Sequence, residues 1–129
     1  MCGLYADSGR GQSAGCNKCG SVAERLKKEH NWDVEVIDIR SLIPLDTETI
    51  FASVKKTGKV LIVHEDKVFS GFGAEIAGIV GTEMFRYLDA PIQRVGSTFT
   101  PVGFHPVLEK AILPGEERIY NAAKALLEY

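Results

Sequence analysis

One unbroken stretch, Val34 to Glu65, constrains the fold of this chain more than any other: VEVIDIRSLIPLDTETIFASVKKTGKVLIVHE. Val34-Glu35-Val36-Ile37-Asp38-Ile39 alternates and is rich in β-branched residues, which predicts a strand. Pro44 closes the turn after it. Asp46 is placed to cap a helix running to Thr57, with Ile50, Phe51 and Val54 inward and Gly58 stopping it. Lys59 to His64, KVLIVH, is nearly all apolar, as a strand covered on both faces should be. Strand, helix, strand at this spacing is a parallel βαβ unit with a right-handed crossover.

The flanking segments extend the same alternation. Ser21 and Glu24 have the spacing of a capping box, and Val22, Ala23 and Leu26 share one face of the helix they would start. Gly71-Phe72-Gly73 opens a long helix to about Leu88, with Phe72, Ile76, Ile79 and Val80 as its apolar stripe. Ala74, Ala77, Gly78 and Gly81 give that helix a second, small-residue surface. A short strand is predicted at Ile92 to Val95, a short helix at Val107 to Ile112, and a last helix from Glu116 to Glu128. Helices alternating with strands imply an α/β fold of three α/β/α layers around a mainly parallel sheet. We expect a single domain over residues 21–129. Residues 1–20, rich in Gly and Cys and without Val or Ile, stand apart as an atypical, flexible segment. There Cys2 to Ala6 makes at best a weak strand, and Asp7 to Gly20 reads as loop.

Composition excludes several classes of function. The net charge of −2 gives no electrostatic footprint for nucleic acid. No apolar run approaches the ~18 residues of a membrane-crossing helix. Met1-Cys2-Gly3 does not open a secretory signal, so the cytoplasm is the expected compartment. The 3 cysteines all lie within the first 19 residues, which is no disulfide framework for a domain.

Few residues offer chemistry. Cys16-Asn17-Lys18-Cys19 is a CxxC pair, the pattern of a redox dithiol or half a zinc site. The plainer reading is an incidental segment. His64-Glu65 falls at the carboxyl end of a strand, where open α/β sheets bind ligands. The plainer reading is a histidine that caps the strand and orders the next loop. Gly71-Phe72-Gly73 could cradle a phosphate at a helix start, but Ile76 stands where a dinucleotide fingerprint needs its third glycine. A tight turn with close helix packing is the better reading. Serines lack a GxSxG elbow, and no HExxH, P-loop or EF-hand pattern occurs.

Residues Val34 to Tyr129 resemble the C-terminal domain of the transketolase family, nearest the β component (E1) of 2-oxo acid dehydrogenases of the pyruvate or branched-chain type. The resemblance rests on the Val34–Glu65 stretch, then GFGAEI, LDAPIQRVGS with the TP of TFTPVGF, ILP, and the terminal AKALLEY, in family order. It implies a parent enzyme that uses thiamine diphosphate and magnesium, decarboxylates a 2-oxo acid and passes the acyl group to a lipoyl arm on E2. The GDG…NN metal motif and the cofactor-activating Glu are absent from this chain. The resemblance therefore assigns no catalytic, cofactor-binding or metal residue here and implies inactivity alone. It implies assembly instead: packing in an E1 oligomer with E1 α and other E1 domains, and docking of the E2 subunit-binding domain. The matching docking positions are Phe85, Asp89 and Tyr129, while His64 and Glu65 mark the ligand side of the sheet.

The resemblance has one gap. The family begins this domain with an apolar strand lying between those represented by Val34–Ile39 and Val60–His64. Here that strand is missing or replaced by MCGLYADSGRGQSAGCNKC. Buried backbone groups left unpaired by its loss would each cost ~1–3 kcal/mol, against a whole stability of about 5–15 kcal/mol. The expectation is that residues 1–20 are not family sequence but the product of a truncated, frameshifted or incompletely read gene. Two other classes of function remain: a stand-alone protein-interaction module, and a small redox or metal protein using Cys16 and Cys19.

Overall fold

The βαβ unit forms as its sequence dictates, and the remaining elements build on it. The computed structural model describes the backbone of residues 2–7, 14–101 and 105–129, and side chains from 16 onward except 102–104 and 109. The chain runs β1 (Cys2–Asp7), α1 (Ala14–His30), β2 (Val34–Ile39), α2 (Thr47–Thr57), β3 (Val60–Lys67), α3 (Phe72–Glu83), a 3-10 turn (Phe85–Tyr87), β4 (Gln93–Ser97), α4 (Pro106–Ile112) and α5 (Glu116–Glu128).

Local chemistry explains the best-matched element. Asp46 Oδ2 accepts the Thr49 hydroxyl at 2.7 Å and Oδ1 accepts the Thr49 N–H at 3.1 Å, capping α2. Those two bonds, the hydroxyl first, hold the Asp46 carboxyl below its ordinary range. At the other end Gly58 adopts φ 67° and its N–H returns to Val54 O, the left-handed stop that glycine makes cheaply.

Among the described residues four strands form one parallel sheet in the order β2-β1-β3-β4. β1 is thus central, pairing Cys2–Asp7 with Val34–Ile39 on one side and Gly3–Ala6 with Val60–Val63 on the other. The place of the expected apolar strand is filled by CGLYAD. Intrinsic strand propensity is weak here, but two flanking strands each present a row of backbone donors and acceptors that must be paired.

Two boundaries need correction. α1 begins at Ala14, not Ser21, so residues 14–20 are helix rather than loop and Ser21 and Glu24 lie inside it. Packing accounts for the extension: Cys19, Val22 and Leu26 form one buried stripe, at 0%, 2% and 0% exposure, so the apolar face starts before the capping box. The rest of the expected loop, residues 8–13, lies outside the described residues. α3 ends at Glu83 rather than Leu88, and the chain tightens into the 3-10 turn through Tyr87 N–H to Met84 O and Leu88 N–H to Phe85 O.

β3 explains why its sequence lacks alternation. Leu61 and Val63 belong to a core shared with α1 and α5, while Val60 and Ile62 belong to a second core shared with α2 and α3. Both faces of the strand are covered, giving three layers. Among the described residues no helix is long and apolar enough to cross a membrane.

Candidate functional site

The 3-10 turn and the bend after it open a groove of about 550 Å³ on the molecular surface. Its floor is apolar, from Ala77 and Gly81 of α3, then Leu88, Pro91 and Ile92. Phe85, Asp89 and Tyr129 line it as well. The three positions singled out by the sequence thus meet on one surface. Phe85 is 76% exposed and Tyr129 75%, two aromatic rings left largely in water.

Asp89 is fixed by its backbone. Its N–H donates to Gly58 O at 2.7 Å, tying the bend to the end of α2. The Asp89 carboxylate packs so closely over Gly58 that a Cβ there would collide with it. Two negative features meet as a result. The α2 C-terminus carries the partial negative charge of its carbonyls, and Asp89 adds a carboxylate. None of the residues lining the groove is cationic. An apolar floor rimmed by uncompensated negative charge suits an apolar segment carrying a basic side chain.

Tyr129 reaches the groove because α5 is held at several points. Tyr120 donates its hydroxyl to Glu29 Oε2 at 2.5 Å. His30 Nε2 lies 3.2 Å from the Tyr120 hydroxyl oxygen, and since the hydroxyl proton goes to Glu29 the imidazole serves as donor there. The Arg25 guanidinium stacks 3.9 Å from the Tyr120 ring centre and pairs with Glu117 at 2.6 Å and Glu29 at 2.9 Å. The Tyr120 and Arg25 bonds hold the Glu29 carboxyl below its ordinary range, and the Glu29 bond pushes the Tyr120 hydroxyl up. Lys59 Nζ donates to Leu127 O at 3.0 Å near the end of α5.

His64 and Glu65 do not join the groove. The His64 ring is 2% exposed, enclosed where three glycines leave room for it. A Cβ on Gly73 would lie 2.5 Å from His64 Nε2, and one on Gly96 2.9 Å from Cε1. The Gly71-Phe72-Gly73 turn therefore serves close packing. Glu65 is half-buried, and its carbonyl accepts the Ser97 hydroxyl.

Among the described residues no group of three or more His, Cys, Asp or Glu is arranged to hold a metal ion. Nor does the groove suit a diphosphate, because its rim is negative and the nearest helix end is a C-terminus. Leu88, Pro91 and Ile92 escaped the sequence reading. The apolar residues flanking Pro91 were the available signal, but only the turn reveals that they face one way.

Comparison with known proteins adds the wider context. The family profile described as "Transketolase, C-terminal domain" matches residues 11–119. The chain is 47% identical over 107 residues to the pyruvate dehydrogenase E1 component subunit beta of Rickettsia felis, covering 83% of this chain and 33% of that protein. It is 46% identical over 107 residues to the 2-oxoisovalerate dehydrogenase subunit beta of Pseudomonas aeruginosa, covering 83% and 30%. The chain spans about a third of the length of these relatives. Its fold matches a solved structure titled "Split gene transketolase, inactive beta4 tetramer" with a TM-score of 0.77, at 23% identity over 98% of this chain and 38% of that one.

Proposed function

The chain belongs to the transketolase C-terminal domain family, and from that premise we propose that it is the C-terminal assembly domain of a 2-oxo acid dehydrogenase E1 β component. In this reading the complete E1 uses thiamine diphosphate and magnesium to decarboxylate a pyruvate-type or branched-chain 2-oxo acid and passes the acyl group to lipoyl-E2. This domain performs none of that chemistry. It packs within the E1 oligomer, alongside E1 α, and docks the E2 subunit-binding domain in the cytoplasm.

The observation that carries the docking role is the groove, apolar beneath and negative at its rim. Aromatic anchors dominate affinity at such surfaces, and rim charges set steering and specificity. Phe85 and Tyr129 would be the anchors. Asp89 would attract a basic E2 docking domain. The direct test is calorimetric titration with that domain at several salt concentrations. Phe85→Ala should weaken binding by roughly 1–2 kcal/mol. Asp89→Ala should weaken it less and flatten its salt dependence. Unchanged affinity and salt dependence in both variants would sink the proposal. Co-purification with E1 α separates an E1 component from a stand-alone interaction module, which would not join a larger E1.

A further inference from the structure

The CxxC pair occupies a setting that its sequence did not disclose. α1 starts at Ala14, after the central strand β1, so Cys16 lies in its first turn and Cys19 one turn further in. Residues three apart share a helix face, and here both side chains meet the same core. Cys19 is 0% exposed within the cluster shared by α1 and α5, and Cys16 is half-buried against it. In a helix such residues have Cα atoms roughly 5 Å apart, inside the ~4.4–6.8 Å window of disulfides. A reachable outer thiol and a sealed inner thiol, at the start of a helix that follows a strand, is the asymmetry of a dithiol exchange site.

We propose that Cys16 and Cys19 form a reversible disulfide by exchange with a small-molecule disulfide, Cys16 attacking and Cys19 resolving. The Cys16 thiolate attacks one sulfur of the external disulfide. That S–S bond breaks, one external thiolate leaves with the electron pair, and a mixed disulfide remains on Cys16. Cys19, having lost its proton to solvent, attacks Cys16 Sγ. The mixed bond breaks and the second external thiolate leaves. Two protein thiols are oxidised, one external disulfide is reduced, and the two released protons go to the leaving thiolates. Only the thiolate attacks, and its nucleophilicity is what the exchange rate follows. Burial first, and the neighbouring Cys16 second, push the Cys19 thiol up to about 12. Resolution is therefore the slow step, and it quickens as pH rises throughout the range in which the chain stays folded.

The sequence supplies a direct readout. Lys18 separates the two cysteines, so trypsin divides them into peptides 11–18 and 19–25. The folded, full-length chain is incubated with oxidised glutathione, its remaining thiols are alkylated, and it is digested without reductant. The expected result is one species joining the two peptides, separated again by dithiothreitol. Recovery of both as separate alkylated peptides overturns the proposal, as does joining of either to peptide 1–10, which carries Cys2. In a second experiment Cys19→Ala should hold glutathione stably on Cys16, while Cys16→Ala should carry none on Cys19. The reverse distribution, or equal labelling, also overturns the assignment of roles. If either variant fails to fold, the mapping of the unaltered chain decides alone.

Discussion

At Gly58 two demands fall on one residue. Its φ of 67° ends α2, and the absence of a side chain lets the Asp89 carboxylate lie against it while its carbonyl accepts the Asp89 N–H. The stop was legible from the sequence, because a glycine closing an apolar periodicity is a local signal. Its second use was not, since Asp89 is far along the chain. Gly58→Ala should cost about 1–3 kcal/mol in urea unfolding through strained backbone and collision, and it should displace Asp89 from the groove rim. His64 carries the same lesson. The sequence placed it at a ligand-binding strand end, but three glycines from two segments, Gly71 and Gly73 in one turn and Gly96 in β4, lie against it. Gly73→Ala drives a methyl against the imidazole and should lower stability by about 1–3 kcal/mol, measured by thermal melting.

At the scale of elements, α5 owes its position to side chains on α1. The Tyr120–Glu29 bond titrates at both ends. Glu29 has a folded pKa depressed from 4.5, so its contribution is present above that value and lost as pH falls through the folded one. Tyr120 is raised from 10.0, so its contribution is present below that value and lost as pH rises through the folded one. Tyr120→Phe removes the bond. Chemical denaturation across pH should then show a smaller acid-side loss of stability below pH 4.5 than in the parent chain. Equal acid slopes in the two proteins would contradict this account. The helices themselves were readable: Thr47–Thr57 follows from its caps and apolar periodicity, and Glu116–Glu128 from periodicity alone. The first turns of α1 were not, because glycine and cysteine carry little helical signal and only burial of Cys19 against α5 reveals the face they complete.

Across the whole molecule, two cores share one sheet, and β3 serves both. Truncating Ile62 or Leu61 to Ala should each cost about 2–5 kcal/mol, a large part of a stability near 5–15 kcal/mol. Such variants should be largely unfolded at moderate urea concentrations by circular dichroism. Removal of residues 2–7 should be worse, since β2 and β3 would both lose their β1 ladders. Loss of slow amide exchange in β3 on that truncation is the expected result. The order of elements, the parallel sheet and the double burial of KVLIVH could be derived from the residues alone, because caps, turns and hydrophobic periodicity act over a few positions. The central place of CGLYAD, the enclosure of His64, the shared core beneath Cys16 and Cys19, and the meeting of Phe85, Asp89 and Tyr129 arose only on folding. Each depends on contacts between segments far apart in the chain, where pairing of backbone groups and exclusion of water outweigh local propensity.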